Sequence, residues 1–144
     1  MSETRIPVAL RREVIDRARN RCEYCGISDD ATLVSHEVDH IVAERHGGKT
    51  VRENLAYSCF RCNRLKGSDL TSIDPQTGKI TRLFNPRADT WRRHFRLVGV
   101  DAALVEPLTA VGRTTVQFLR LNDIEWVALR AELQRQSRYS PPQS

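Results

Sequence analysis

Apolar residues recur at helical spacing in four segments of this chain. The first, 8–21, sets apolar positions among charged ones and stops just before a cysteine. The second begins near the second cysteine pair and stops at Gly67, a residue typical of the position after a helix. The third spans 108–122, and the fourth runs from an N-cap at 122 or 123 to about 136. The residues predicted to form the buried stripe of the last helix are Ile124, Val127, Ala128 and Ala131.

Short apolar runs between these segments predict β-strands. Residues 33–42 are strand-like and are followed by the glycine-containing loop HGGKT, after which 54–59 forms a second candidate strand. The turn sequence DPQTGK separates 71–73 from 80–84 and predicts a small hairpin. Residues 91–99 alternate apolar and basic positions, which predicts a further strand. Helices and strands in this order indicate an α+β fold.

The chain of 144 residues has the length and apolar content of one soluble domain. We expect a core over 8–70, an extension over 71–137 packed on it, and a frayed tail at 138–144. The first residues contain no apolar stretch before a small-residue cleavage site, and no window approaches the roughly 18 apolar residues of a membrane span. A cytoplasmic protein without a membrane partner is therefore expected, and the oligomeric state is left open.

Four cysteines form two matched pairs, Cys22-x-x-Cys25 and Cys59-x-x-Cys62. In a reducing compartment this spacing predicts a tetrahedral zinc site built from four thiolates. Because protein ligands fill all four positions, the Zn²⁺ would be structural and would contribute to folding. The pairs are separated by 33 residues, more than the roughly 15 to 20 of a compact zinc ribbon. A redox protein is the alternative, and its thiols would exchange disulfides.

Basic side chains are concentrated in residues 45–67. Six Lys and Arg there accompany one acidic residue, a local balance of +5 that equals the formal net charge of the whole chain. A polyanion partner such as DNA is one interpretation, and a solvated basic surface is the other. The candidate contacts to a nucleic-acid backbone are Lys49, Arg52, Arg61, Arg64 and Lys66. Such contacts would position a nucleic acid without reading its sequence.

The segment between the cysteine pairs is rich in groups that transfer protons or bind cations. Asp39 and His40 are adjacent, Asn54 follows, and Asn63 comes directly after Cys62. Hydrolysis of a phosphodiester needs a base to take a proton from water and a cation to neutralise the developing charge. An imidazole together with a carboxylate and an amide meets both needs.

The ordered motifs VDHI, HGG, ENL and CxxCNxxKG resemble the HNH endonuclease family over about 22–69. The resemblance implies a ββα-metal core, or His-Me finger, that cleaves DNA, with RNA not excluded. It implies that His40 is the general base and that Asp39 and Asn63 hold the catalytic cation. Asn54 would tie down the glycine loop and orient the histidine. An asparagine at the final position is similar to the HNN variants, and its oxygen suits Mg²⁺ or Mn²⁺.

A zinc-knuckle protein that binds nucleic acid without cutting it is the second hypothesis. Such a binder has no physical use for a base beside a hard-cation site. One geometric conflict concerns Asp39 and His40, because neighbours on an ideal strand point to opposite faces. The strand must therefore end or twist there. His36, which would share the face of His40, either assists the metal or phosphate or is a packed or surface residue. The loop residue His46 either contacts phosphate or is ordinary turn content.

Overall fold

A computed structural model describes residues 5–143, in which short helices alternate with three antiparallel hairpins. The five helices of this part are α1 (Val8–Arg17), α2 (Phe60–Lys66), α3 (Trp91–His94), α4 (Ala110–Phe118) and α5 (Ile124–Arg135). Its six strands are β1 (Glu37–His40), β2 (Leu55–Ser58), β3 (Thr71–Ile73), β4 (Ile80–Arg82), β5 (Phe95–Val98) and β6 (Leu104–Pro107). None of the helices described is long and apolar enough to cross a membrane. The predicted α+β class is confirmed.

The first hairpin and the helix after it carry the residues of interest. β1 pairs with β2 in antiparallel register, with Glu37 opposite Ser58 and His40 opposite Leu55. Helix α1 packs on β2, and α2 packs on β1. All four residues of β2 are buried, whereas β1 alternates between more exposed and buried positions. One face of β1 therefore remains accessible.

The outer edge of β2 is closed by polar groups. The Tyr57 N–H donates to the Glu23 carboxylate at 2.9 Å, and the Tyr57 carbonyl accepts from the Glu23 N–H at 2.9 Å. Arg17 donates to the Leu55 carbonyl at 2.8 Å. Arg87 donates to the same carbonyl and pairs with the Glu23 carboxylate. Because unpaired strand edges invite association with other chains, these contacts keep the hairpin a two-stranded unit.

The cysteine-bearing half and the second half of the chain share one apolar core. Tyr24 and Ile41 belong to the same buried cluster as Phe84, Trp91 and Phe95. The Trp91 and Phe95 ring centroids lie 4.9 Å apart, and Phe84 meets Phe95 edge-on at 5.4 Å. Aromatic pairs in these geometries are stabilising beyond the area they bury. The second half is therefore packed firmly on the cysteine-bearing segment.

Two of the predicted strands are only partly present. The strand expected over 33–42 is restricted to Glu37–His40, because Leu33 and Val34 lie exposed in the preceding loop. The segment 91–99 begins as helix α3 and becomes a strand only at Phe95. Trp91, the first residue of this segment, is buried, and its indole N–H donates to the carbonyl of Tyr24 at 3.0 Å.

The last helix forms as predicted, but a different face of it is buried. Ile124, expected in the buried stripe, is 82% exposed, whereas Leu133 and Arg130 are buried. The Arg130 guanidinium donates to the carbonyls of Ala103 and Leu121, both at 2.7 Å. Buried carbonyls need hydrogen-bond donors, and Arg130 supplies them from an interior position. The apolar pattern of the helix assigned the interior positions to apolar residues instead.

The tail expected to fray at 138–144 is packed in the part that the structure describes. Tyr139 is 8% exposed, and its hydroxyl donates to the carbonyl of Cys25 at 2.7 Å. Pro142 is also buried. Ser144 lies outside the described residues. The composition of the tail does not reveal these contacts.

Candidate active site and metal centre

The two cysteine pairs converge on one buried point. The four Sγ atoms lie within 4.8 Å of one another, and all four side chains are buried. Backbone N–H groups of Tyr24 and Cys25 approach Cys22 Sγ at 3.4 and 3.5 Å, and that of Cys62 approaches Cys59 Sγ at 3.3 Å. The Cys25 and Cys59 sulfurs are 3.8 Å apart, the spacing of two thiolates on a tetrahedral Zn²⁺ with bonds of about 2.3 Å. The cluster fits the predicted zinc knuckle.

Residues distant in sequence hold the backbone of the first knuckle. Gly26 adopts φ +81°, as the turn after a cysteine pair requires, and a Cβ there would lie 2.6 Å from the Tyr139 hydroxyl oxygen. Tyr139 donates to the Cys25 carbonyl, and Trp91 donates to the Tyr24 carbonyl. The knuckle is therefore completed by the second half of the chain.

Helix α2 begins at the cysteine cluster and places Asn63. Cys59 is the N-cap, because its sulfur accepts the Cys62 N–H. The Cys59 carbonyl accepts the Asn63 N–H at 2.9 Å. A metal ion held by Cys59 and Cys62 would consequently fix the first turn of α2 and the backbone of Asn63.

An open cleft of about 500 Å³ lies beside β1, α1 and α2. β1 contributes Glu37, Asp39 and His40 to its lining, and α2 contributes Asn63. Three residues predicted for the catalytic site therefore line one cavity. Asn54 is not among its lining residues and acts on the loop between β1 and β2.

His40 anchors one ring nitrogen and leaves the other unpaired. Its side chain is 1% exposed, and Nε2 lies 2.8 Å from the Thr50 hydroxyl oxygen. The buried Nδ1 has no hydrogen-bond partner among residues 5–143 and lies 3.7 Å from Asp39 Oδ1. If Nε2 carries the proton and donates to Thr50, Nδ1 keeps a lone pair that can accept a proton.

Asp39 and His40 both reach the cleft because β1 ends at His40. The Asp39 carboxylate folds back, so that Oδ1 accepts the N–H of His40 at 2.8 Å. The Asp39 side chain is 32% exposed, which leaves its second oxygen accessible from the cleft. The end of the strand removes the conflict that ideal alternation would impose.

Asn54 bonds to both ends of the glycine loop. Its Oδ1 accepts the Val42 N–H at 2.9 Å, and its Nδ2 donates to the carbonyls of Val42 and Lys49 at 3.0 and 2.9 Å. Thr50, the partner of His40, follows Lys49 directly. One amide thus fixes the loop that orients the imidazole.

Gly48 must stay a glycine because the loop is closely packed at this point. A Cβ at Gly48 would lie 1.7 Å from the Val42 carbonyl oxygen and 2.9 Å from Asn54 Nδ2. We expect Gly48→Ala to lower the free energy of unfolding by more than the roughly 1–3 kcal/mol of ordinary overpacking, because the clash is with backbone.

Gly47→Ala is the matched control for this substitution. Gly47 has φ +87° but no atom within 4 Å of the new Cβ, so its cost is confined to about 1–2 kcal/mol of backbone strain. Chemical denaturation of both variants measures the difference. Equal losses in the free energy of unfolding for the two variants, or no loss for Gly48→Ala, would contradict the described loop.

Two of the predicted backbone contacts are engaged within the protein. Lys66 is 6% exposed and donates to the Ile41 carbonyl at 2.8 Å, and burial lowers its pKa. Arg61 lies over the Trp126 ring at 5.1 Å and pairs with Asp123. The sequence assigned both to a nucleic-acid surface, and the structure corrects this by giving their donors internal partners.

The other three predicted contacts are exposed. Arg64 lines the cleft, with its guanidinium 5.7 Å from the Phe60 ring centroid. Arg52 pairs with Glu13 at 3.0 Å on the surface, a contact of small energetic consequence. Lys49 is exposed on the glycine loop. Of the three, Arg64 alone lines the cleft that holds Asp39, His40 and Asn63.

Sequence reasoning missed several residues of the site: Glu37, Thr50, Arg5 and Arg11. Alternation along β1 could have found Glu37, which shares the face of Asp39. The loop sequence HGGKT contains Thr50 but carries no sign of its bond to His40. Arg5 and Arg11 line the cleft from the segment around α1, far from the motif in sequence.

The remaining histidines of this segment lie outside the cleft. His36 is buried, with Nε2 2.8 Å from the Ile27 carbonyl oxygen and its ring centroid 5.3 Å from that of Tyr57. His46 is exposed, with Nε2 3.1 Å from the Ser68 carbonyl oxygen. Neither approaches Asp39 or Asn63 through any of these contacts.

Comparison with known proteins finds a similarity that includes the cysteine-bearing segment. Residues 22–69 match the HNH endonuclease family. The chain is 41% identical over 86 residues to the CRISPR-associated endonuclease Cas9 of Corynebacterium diphtheriae, an alignment covering 59% of this chain and 8% of that protein. It is 26% identical over 118 residues to the Septu protein PtuB of Bacillus thuringiensis, covering 81% of this chain and 42% of the relative. The chain thus spans less than half the length of either relative. No solved structure gives a significant match.

Proposed function

We propose, from the match of residues 22–69 to the HNH endonuclease family, that this protein is a metal-dependent endonuclease that hydrolyses phosphodiester bonds in DNA. The observation that supports it most is the unpaired Nδ1 of His40, which is buried within 3.7 Å of a cleft carboxylate. His36, whose Nδ1 is also unpaired, lies away from the cleft and lacks the neighbouring Asp39.

In this proposal the protein's own groups move the proton. Thr50 holds Nε2 of His40, so the imidazole presents Nδ1 as the acceptor of the proton from an attacking water. The Asp39 carboxylate accepts the backbone N–H of His40, and this bond holds the carboxylate beside the imidazole ring. Asn54 keeps the loop that carries Thr50 in place. These contacts orient the base before substrate binds.

The cleft also fits a hard divalent cation. Asp39 and Asn63 would hold Mg²⁺ or Mn²⁺ through a carboxylate and an amide oxygen, the donor chemistry these ions prefer. A cation there supplies charge stabilisation for the scissile phosphate and the leaving oxygen. The buried cysteine cluster would hold Zn²⁺ with a structural role, since reactive redox thiols need access to solvent that these side chains lack.

The basic rim of the cleft would position the DNA backbone. Arg5 and Arg11 approach from one side and Arg64 from the other, and all three are exposed. Such contacts hold phosphates without reading bases. The substrate path proposed here therefore runs between α1 and α2, and it replaces a path over Arg61 and Lys66.

Arg11→Ala should weaken DNA binding and reduce the slope of log affinity against log salt by about 1, the loss of one phosphate contact. Arg12→Ala is the matched control, because Arg12 is an exposed neighbour on α1 that does not line the cleft. Fluorescence anisotropy with a short duplex, titrated over a range of salt, measures both. The path is wrong if the two variants bind alike.

Supercoiled plasmid tests the activity itself. The protein is incubated with Mg²⁺, with Mn²⁺ or with EDTA, and nicked and linear forms are scored. We expect nicking with the divalent cations and none with EDTA. Binding in a gel shift without cleavage under any metal would instead support the zinc-knuckle binder.

A further inference from the structure

Glu37 occupies a position that the proposed chemistry does not use. It opens β1, is exposed, and lines the same cleft as Asp39. Residues two apart on a strand share a face, so the two carboxylates lie along one side of β1. Across the cleft, Asn63 donates from Nδ2 to Glu37 Oε2 at 2.9 Å. This bond links the hairpin to α2 directly at the candidate cation site.

An asparagine can serve as a ligand only when its oxygen is turned to the cation. The terminal torsion of Asn is broad and roughly two-fold, so the two ends of the amide exchange places easily. The backbone of Asn63 is already fixed by its N–H bond to the Cys59 carbonyl. The orientation of the Asn63 side-chain amide is then the conformational freedom that remains.

We propose that Glu37 is a positioning residue that holds Asn63 with Nδ2 facing the carboxylate and Oδ1 turned away from it toward the catalytic cation. A carboxylate suits this role because it accepts hydrogen bonds and cannot donate them when ionised. It therefore selects one of the two amide orientations. The inference rests on the proposed function, in that Asn63 is taken to be a ligand of the cation.

A positioning role differs in its consequences from two others that a carboxylate near a cation could have. A direct ligand, or a negative charge that attracts the cation from a distance, would act whichever residue stood at position 63. A positioning residue acts only while that residue is an amide with two different ends. An aspartate at 63 offers oxygen in both orientations and needs no partner to select one.

A double-mutant cycle tests the difference with four proteins: wild type, Glu37→Ala, Asn63→Asp, and the double variant. Mn²⁺ binding is measured by calorimetry on the zinc-loaded proteins without DNA, and the Mn²⁺ concentration for half-maximal plasmid nicking is measured separately. Melting temperature and zinc content confirm that each variant is folded. Glu37 is exposed, so its replacement is expected to leave the fold unchanged.

We expect Glu37→Ala to weaken Mn²⁺ binding by about 10–100-fold, the usual effect of removing a group that orients a ligand. In the Asn63→Asp background, the same substitution should cost at least about tenfold less. Equal losses in both backgrounds would overturn the inference in favour of a ligand or charge role. So would the absence of Mn²⁺ binding by the wild type.

The binding readout separates this inference from the proposed activity. If the wild type binds Mn²⁺ with the expected coupling but never nicks plasmid, the positioning role stands and the DNA substrate is wrong. If the wild type nicks plasmid and Glu37→Ala matches it in both Mn²⁺ measurements, the activity stands and the positioning role falls.

Discussion

Replacing His40 with alanine is expected to abolish plasmid nicking while the zinc content stays at the wild-type value. The variant loses the Nδ1 atom that accepts the proton from water, and general-base catalysis contributes about 10²–10⁴ in rate. Among the described residues the imidazole makes one side-chain hydrogen bond, to Thr50. The substitution should therefore lower the free energy of unfolding by no more than about 3 kcal/mol. Nicking followed over time with Mg²⁺ or Mn²⁺ measures the loss, and thermal unfolding measures the stability.

His94→Ala is the matched control, since it removes an imidazole that does not line the cleft and that bonds to Thr109, which does not line it either. It should cleave at the wild-type rate. Thr50→Val should fall between the two, because His40 keeps its base but loses the hydroxyl that holds Nε2. A His40→Ala variant that nicks at the wild-type rate, or that loses its zinc, would refute the assignment of His40 as the base.

Cys59→Ser is expected to cause a large loss of stability. The substitution removes one of four sulfurs and also the sulfur that caps α2. Zinc binding contributes about 10–16 kcal/mol in small zinc peptides, as much as the whole 5–15 kcal/mol that stabilises a typical domain. We expect the purified variant to lack zinc and to show no cooperative unfolding transition near that of the wild type.

The wild type itself supplies the control for this prediction. Stripping its zinc with a strong chelator should lower the melting temperature in the same way, and adding Zn²⁺ back should restore it. Removing Mg²⁺ or Mn²⁺ with weak chelation should stop nicking without moving the melting temperature. An unchanged unfolding curve for Cys59→Ser would show that the cluster holds no structural ion.

The zinc knuckle and the core of the site were predictable because their signals are local. Cysteine pairs at fixed spacing, a glycine loop between two short apolar runs, and a glycine ending α2 each specify structure within a few residues. The four sulfurs meet as the spacing predicts. Asp39, His40 and Asn63 line one cleft because α2 packs directly on β1. Their catalytic roles remain predictions.

The misassigned residues depend on contacts between distant segments. Lys66 belongs to a basic run and reads as a surface residue, but the buried Ile41 carbonyl takes its ammonium group as a donor. Arg130 is buried on the last helix, where apolar residues were predicted to form the buried face, because its guanidinium donates to two buried carbonyls. A sequence pattern shows which side chains are charged, and it does not show where an interior carbonyl lacks a donor.

The bonds from Trp91 and Tyr139 to the first knuckle also set an order of events during synthesis. These donors follow their acceptors by 67 and 114 positions along the chain. A ribosome releases the chain from its N-terminal end, so the paired cysteines emerge long before the rings that cover them. The thiols consequently pass through a period in which they are complete as ligands but still open to solvent. Metal can enter during that interval without any opening of the finished protein.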